Sequence, residues 1–415
     1  MNSNAAITAN RPAEMSGALW GGLAALIGVG VVGLAVSLAS DPVRAWQAYL
    51  VNYLFFLGLG SGGVVFSCAL NLASGRWGKP VKRVAEGLGA FLPASFVLFL
   101  IMIPGLRHLM PWAKTPYGPT WWNTLPLLIG RGVLVQVVLN VLGLSVLYTS
   151  LRTDIGRRNE QGGAFVGPLH RWLTRSWRGA AAETAIARRR LLILSPLYAV
   201  AFACLLTITA VDFIMSLKPH WISTLIGGYY FACSFYISLA ALLLGVIWSR
   251  RRFGLGDAIR SDHLADIAKL TMAMGIFSGY TFYGQFMLIW YGNVPYETSF
   301  LVDRMIDTPW RWVGWAVIFA CFILPIVAML NRRIKERSEP MIAFGAVALA
   351  AMWWDRFFSV APSISGTKAV VFGLPELSIT AGFFGVLALV FVIFMHRTPA
   401  VIADDPVLDA AEGHS

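Results

Sequence analysis

One apolar stretch of the chain, residues 264–291, carries side chains that can transfer protons. Asp266 and Lys269 lie three residues apart near its beginning, and His263 comes just before them. Hydroxyl and amide groups then recur along it, at Thr271, Ser278, Tyr280, Thr281, Tyr283 and Gln285. Carboxylates and hydroxyls joined by water can pass protons, whereas aliphatic side chains cannot. The pattern predicts either a proton half-channel that opens to the cytoplasm or a series of helix-to-helix hydrogen bonds.

Two more acidic residues lie inside apolar stretches, and both are candidates to pass protons outward. Asp212 falls near the outer end of its stretch, and Arg131 lies a few residues into the preceding apolar stretch from the same side. Arg131 needs an acid or a cluster of carbonyls, so it either pairs with Asp212 or holds a ligand oxygen. Asp355 and Arg356 are adjacent in sequence. Neighbours cannot face each other on a helix, so both require other partners.

A third charged pair lies near the inner end of another apolar stretch. Arg83 and Glu86 are three residues apart, which places them on one helix face. The spacing predicts an ion pair near the inner surface. Glu86 is also a candidate for the proton path.

Histidine and cysteine positions are not typical of a bound metal or haem. A membrane b-type haem is held by two inward histidines at similar depth, and no such pair occurs. The four cysteines stand singly, without a CxxC or CxxCH motif. We therefore expect no covalently bound or metal cofactor in this chain. Its chemistry would use protons, a mobile organic ligand or a cofactor on another subunit.

The elements that carry these residues are membrane helices. The 415 residues are 57% apolar and only 13% charged, against about 25% charged in a soluble domain. Runs long enough to cross a bilayer predict an all-α polytopic membrane protein with ten transmembrane helices. The predicted spans are 17–40, 45–73, 84–106, 126–150, 191–217, 223–249, 264–291, 310–330, 341–360 and 375–396.

The net charge of +12 reflects topology, because the basic residues do not form one solvated patch that would bind nucleic acid. Most of them fall on the connections that are cytoplasmic if the N-terminus starts inside, which predicts that both termini are cytoplasmic. We expect tails at 1–16 and 397–415 and a membrane domain at 17–396. The long cytoplasmic loop 151–190 is predicted either to lie at the lipid headgroups or to dock a partner subunit.

A weak internal repeat suggests how the helices are grouped. The turn before Arg83 and Glu86 and the turn before Asp266 and Lys269 are both basic, and each leads to an acid and a base three residues apart. We therefore predict two four-helix bundles, one at about 45–217 and one at about 223–360, with two peripheral helices.

Two stretches of sequence are too specific to be explained by amino-acid composition, and a third stretch belongs with them. They are DFIMSLKPHWISTLIGGYY from Asp212, DHLADIAKL with GQFMLIWYGNVPYET between Asp262 and Thr298, and SGRWGKPVKRVAEGLGAFLP from Ser74. Over roughly 45–396 the chain resembles the NrfD/PsrC family of quinone-interacting membrane subunits. Within that family it is similar to the ActF-type subunits of alternative complex III, a quinol:electron-acceptor oxidoreductase.

The resemblance implies a ten-helix subunit whose iron–sulfur neighbour carries the electrons of a quinol oxidised near the outer surface, while polar chains move protons. The residues that match the family motifs are Asp212, His220, Trp221, His263, Asp266, Lys269, Gln285, Tyr291 and Glu297. Tyr296 stands where the family motif has a first Glu, and Arg107 and His108 follow Gly105 in a changed order. We therefore interpret the chain first as a quinone-associated, proton-routing subunit and second as the site of quinol oxidation.

A quinone pocket is predicted under the aromatic and proline-rich segment 107–125. The candidate side chains are Tyr49, Asn52, Arg107, His108, Trp112 and His220. Quinone or menaquinone would be a mobile ligand. The resemblance implies as partners an iron–sulfur or molybdopterin-like subunit, a sister NrfD-like subunit, c-type haem subunits and lipid, in a bacterial plasma membrane. A secondary transporter and a purely structural membrane anchor remain the alternatives.

Overall fold

Ten long helices dominate the computed structural model, which describes residues 16–119, 121–161, 167–219, 221–306, 308–331, 337–364, 369–403 and 405–409. They are α1 Gly17–Ser40, α2 Pro42–Leu72, α3 Arg76–Leu109, α4 Leu125–Glu160, α5 Ala180–Phe213, α6 Ile226–Arg252, α7 Ser261–Gly292, α8 Trp310–Leu330, α9 Ser338–Ile364 and α10 Leu374–Arg397. Short helices at Pro168–Leu173 and Pro295–Leu301 lie in the connections.

Nine of these helices are long and apolar enough to cross a membrane, all except α7. The chain is therefore an all-helical polytopic membrane protein. The remaining predicted span, 264–291, coincides with α7, which is a continuous helix of 32 residues. Its charged, hydroxyl and amide side chains make α7 more polar than the other nine, so its crossing of the membrane stays a prediction.

Local sequence explains where helices begin and bend. Asp41 caps α2, because its carboxylate accepts the N–H of Arg44 at 3.1 Å and Pro42 occupies the first turn. In α8, Pro325 has no N–H to donate to the Cys321 carbonyl four residues earlier. The Tyr236 hydroxyl donates to that carbonyl instead, at 3.1 Å. A buried tyrosine of α6 thus stabilises the proline-disturbed segment of α8.

Two helices form the centre of the molecule, since α2 and α6 are the most buried spans and pack against each other. The first helix group, α2–α5, packs as α2 with α3 and α5, and α4 with α3 and α5. The second helix group, α6–α9, packs as α6 with α7 and α9, and α8 with α7 and α9. Helix α1 packs along α10, where a Cβ on Gly30 would come within 2.3 Å of the Gly382 Cα. Only glycine permits that approach.

The connection between α4 and α5 differs from the long cytoplasmic loop predicted at 151–190. Helix α4 continues to Glu160 and α5 already begins at Ala180. Arg152 holds the two extensions together, donating to Glu183 at 2.7 and 2.9 Å and to three carbonyls of the connection. These contacts stabilise helical turns that hydropathy alone does not reveal.

The C-terminal segment, residues 398–403 and 405–409, folds back onto the first helix group. Its apolar side chains Ala400, Ile402, Val407 and Leu408 are buried. Lys79 pairs with Asp409 at 2.6 Å at the beginning of α3. The part of the predicted tail that the structure describes is therefore packed against the protein.

Candidate functional site

The polar residues of α7 lie on two different faces of the helix. Thr271, Ser278, Thr281 and Gln285 are buried, whereas Tyr280 and Tyr283 are exposed. Within the buried set, Thr271 and Thr281 donate to carbonyls of their own helix, and Gln285 donates to the Ser223 hydroxyl at 2.7 Å. The predicted ladder is thus divided by the helical period, and only the buried residues face the neighbouring helices.

The charged residues at the start of α7 are accessible. Asp266 and Lys269 pair at 2.8 Å, and their side chains are 38% and 55% exposed. The His263 ring nitrogen accepts the N–H of Arg260 at 3.0 Å and so caps the helix. If α7 crosses the membrane, this pair lies at one membrane surface, where it is open to solvent.

The second helix group contains a fully buried charge pair at its centre. Asp355 and Arg356 of α9 are both 0% exposed. Tyr229 of α6 donates a short hydrogen bond to Asp355 Oδ1. The Arg356 guanidinium lies 4.5 Å from the centre of the Tyr230 ring. It is 3.8 Å from the Asp355 carboxylate, too far for a hydrogen bond.

Arg356 is the exceptional group of this cluster. Its three guanidinium nitrogens have no hydrogen-bond partner among the described residues, and neither do Asp355 Oδ2 and Ser278 Oγ. Cys233 adjoins these groups, since it interacts electrostatically with Arg356 and Asp355 and its thiol is in polar contact with the Ser278 side chain. Buried polar groups are nearly always hydrogen-bonded, so this cluster departs from the rule for protein interiors.

A contrasting pair lies where α4 begins and α5 ends. Arg131 donates to both oxygens of Asp212, at 2.8 and 2.9 Å, and to the Trp122 carbonyl at 3.1 Å. The Trp122 indole N–H donates to Asp212 at 3.0 Å, and its ring lies 4.0 Å from the guanidinium. The partner anticipated for Arg131 is therefore present, in a bidentate arrangement.

The predicted pair Arg83–Glu86 forms at 2.6 Å, but as part of a larger buried network. Arg83 also donates to Asp154 of α4 at 2.8 Å. Lys82 donates to Asn71 at 2.6 Å and to Asp405 of the C-terminal segment at 2.5 Å. Sequence reasoning missed Lys82, Asn71, Asp154 and Asp405. The four-residue spacing of Asp154 and Arg158 was the available signal, but it lay in the predicted loop.

The residues predicted to bind quinone are not brought together into one open site. The Tyr49 hydroxyl donates to the Leu98 carbonyl at 2.9 Å, and Asn52 accepts the Trp353 indole N–H at 3.0 Å. Both are buried in α2, whereas Arg107 is exposed at the C-terminal end of α3 and His108 is half-buried. Trp112 donates to Ser216 at 3.4 Å. His220 lies outside the described residues.

The segment that follows α3 in the chain is packed against the end of α5. The Tyr117 hydroxyl donates to the Ser216 carbonyl at 2.8 Å, and burial raises the pKa of Tyr117 to about 12. Tyr117 therefore stays a neutral donor at physiological pH.

Comparison with protein families matches residues 36–365 to the family described as polysulphide reductase, NrfD. The chain belongs to the NrfD family. The match covers both helix groups, from before the beginning of α2 to the end of α9. No curated protein matches the chain. Within the described part of this NrfD-family protein, no group of three or more His, Cys, Asp or Glu side chains could hold a metal ion.

The NrfD-family chain also has a large apolar cleft of about 880 Å³. The cleft lies among α1, α2, α6, α9 and α10, and aromatic side chains line much of it. These are Phe55, Phe56, Trp248, Trp353, Trp354, Phe372, Phe384 and Phe391. The side chains that line the cleft are almost entirely apolar.

Proposed function

We propose that this chain is the ActF-type membrane subunit of a quinol-oxidising complex of the alternative complex III kind. Partner iron–sulfur and c-type haem subunits would carry the electrons, beside a sister NrfD-like subunit. The NrfD match over residues 36–365 is the observation that carries the assignment. The motif stretches from Asp212 and from Asp262 support the narrower choice within the family. In this proposal both termini are cytoplasmic and the two helix groups form two four-helix bundles.

Copurification tests the assignment to a complex. An affinity-tagged chain extracted in mild detergent is expected to bring along subunits with haem and iron–sulfur absorption. A secondary transporter predicts the opposite, namely solute uptake by the purified chain alone in liposomes. Uptake without copurified redox subunits would overturn the proposal.

The second helix group is the part of the chain best suited to route protons. Asp355 and Tyr229 form a hydrogen-bonded acid and hydroxyl in its interior, and Ser278 adds a hydroxyl from α7. Such groups exchange protons readily when water joins them. Asp266, Lys269 and His263 would take up protons at the cytoplasmic end, and Asp212 would lie on the outward side. Three N–H groups already bind the Asp212 carboxylate.

An Asp355→Asn variant tests this role in the assembled, reconstituted complex. We expect proton translocation to fall strongly while quinol oxidation continues, because asparagine keeps the size and polarity of the side chain but does not titrate. Glu339→Gln is the matched control, an acid of the same helix with an exposed side chain. Unchanged translocation in Asp355→Asn would contradict the role. A purely structural anchor predicts a change in assembly alone.

Quinone association is supported by the apolar cleft. We propose that an isoprenoid chain lies in it. Ala350 lines the cleft on α9, and Ala343 is an exposed alanine of the same helix outside the lining. Ala350→Phe is expected to lower the quinone that copurifies, while Ala343→Phe leaves it unchanged. Equal quinone content in both variants would place the ligand elsewhere.

A further inference from the structure

The interior of the second helix group contains Arg356, whose guanidinium group donates no hydrogen bond to a described residue. Arg356 cannot lose its proton, so its charge has to be stabilised where it lies. Taking such an ion out of water costs several kcal/mol unless hydrogen bonds replace its hydration shell. The Tyr230 ring face at 4.5 Å supplies part of the stabilisation. The three guanidinium N–H groups remain without a protein acceptor among the described residues.

We infer that Arg356, Asp355 and Ser278 hold an internal water cluster in the core of the second helix group. Five buried atoms of these residues lack a hydrogen-bond partner in the described part of the chain: Arg356 Nε, Nη1 and Nη2, Asp355 Oδ2 and Ser278 Oγ. A buried water makes about three hydrogen bonds, so about two waters satisfy this set.

The chemistry of the five atoms selects water over an ion. The guanidinium offers donors only, the carboxylate oxygen accepts, and the serine hydroxyl does both. A water molecule complements all three groups. An anion bound to Arg356 would be repelled by the Asp355 carboxylate, which lies 3.8 Å from the guanidinium. A metal cation would be repelled by Arg356 itself.

The cluster would have a defined boundary. The rings of Tyr229 and Tyr230 of α6 lie against the Arg356 guanidinium, and Cys233 of the same helix neighbours both Arg356 and Ser278. Waters here would connect the Asp355–Tyr229 pair to the buried hydroxyl face of α7. The inference deepens the proposed proton role, but it rests on the unpartnered atoms and holds whether or not protons move.

X-ray hydroxyl-radical footprinting of the assembled complex tests the water cluster. Bound water generates the radical in place, so side chains that contact it are oxidised even when bulk solvent cannot reach them. We expect oxidation of Tyr229, Tyr230 and Cys233, although all three are buried. Tyr198 is the matched control, because it is equally buried and its hydroxyl donates to the Ser61 carbonyl at 3.1 Å. Oxidation of Tyr229, Tyr230 and Cys233 no faster than that of Tyr198 would overturn the inference.

An Arg356→Met variant sharpens the test, since methionine fills the space without donors. Oxidation of Tyr230 is expected to fall to the level of Tyr198, with Tyr198 protection reporting an intact fold. Undiminished oxidation of Tyr230 would show that Arg356 does not hold the water. If this variant does not assemble, the wild-type comparison decides. Footprinting does not require turnover. Oxidation of Tyr229 and Tyr230 together with unchanged translocation in Asp355→Asn would therefore refute the proton role and leave the water cluster standing.

Discussion

One fully buried arginine of each helix group, Arg83 in the first and Arg356 in the second, is accommodated in opposite ways. In the first group, Arg83 donates to Glu86 and Asp154, and Arg131 donates to both oxygens of Asp212. In the second group, Arg356 has no hydrogen-bond partner among the described residues. Ion pairs with good geometry fix neighbouring helices, whereas an arginine without acceptors needs hydration. We therefore expect the ion pairs of the first group to stabilise the fold, and the cluster around Arg356 is where we propose that polar transport takes place.

The pairs Arg83–Glu86 and Asp266–Lys269 differ in the same direction. Arg83 and Glu86 are fully buried, and the C-terminal segment covers the same part of α3 through Asp405 and Lys82. Asp266 and Lys269, which have the same spacing at the start of α7, are exposed. Two pairs that look alike in sequence are therefore a closed structural network and an accessible surface pair.

The largest expected effect comes from breaking the closed network. Arg83→Met leaves Glu86 and Asp154 buried without their shared partner, which is expected to cost about 3–5 kcal/mol of unfolding free energy. Thermal unfolding of the purified complex measures the loss. Arg356→Met is the matched variant in the second group, and we expect a smaller loss because no hydrogen bond to a described residue is removed. Equal losses would contradict the comparison.

A smaller loss of unfolding free energy is expected at the Arg131–Asp212 pair. Asp212→Asn removes the charge that receives two N–H groups of Arg131, while Arg131 keeps the Trp122 carbonyl and ring. Hydrogen bonds to charged groups are worth about 1.5–3 kcal/mol, which sets the expected decrease in unfolding free energy. Asp303→Asn is the control, because Asp303 pairs with Lys218 in a partly exposed position. If Asp212→Asn abolished proton translocation without loss of stability, the pair would belong to the transport path.

The packing of the C-terminal segment against the first helix group is expected to depend on pH. Burial alone would raise the pKa of Asp405, but Lys82 and the N–H groups of Val407 and Leu408 hold the pKa below its usual value. A lowered pKa contributes stability that is present above the unfolded pKa of about 3.9 and lost as pH falls through the folded value. Limited proteolysis should thus find the segment protected near neutral pH and released only in acid below about pH 4. Asp405→Asn should be released at neutral pH, whereas release of the wild type near pH 6 would contradict this assignment.

Sequence patterns predicted the long helices well because hydropathy and helix length are local properties. Nine of the ten predicted spans coincide with helices apolar enough to cross. The pairs Arg83–Glu86 and Arg131–Asp212 were also predictable, from a three-residue spacing and from a shared depth. Asp405 as the partner of Lys82 was not, since 323 residues separate them and only the tertiary fold brings them together.

The candidate site shows the same limit. A helical wheel would have separated Tyr280 and Tyr283 from the buried Thr271, Ser278, Thr281 and Gln285, so that division was available in the sequence. The meeting of Asp355 with Tyr229 was not available, because it depends on how α6 and α9 pack.

The smallest expected effect on stability is at the accessible pair of α7. Asp266→Asn removes an ion pair whose two side chains are about half exposed, and such pairs are worth less than about 1 kcal/mol. A double-mutant cycle with Lys269→Met measures this coupling. Because the fold hardly depends on the pair, a marked loss of proton translocation in Asp266→Asn, with normal assembly and quinol oxidation, would identify proton uptake at this end of α7. Translocation equal to that of the wild type would instead leave Asp266 as a surface charge and confine the proton role to the interior around Asp355.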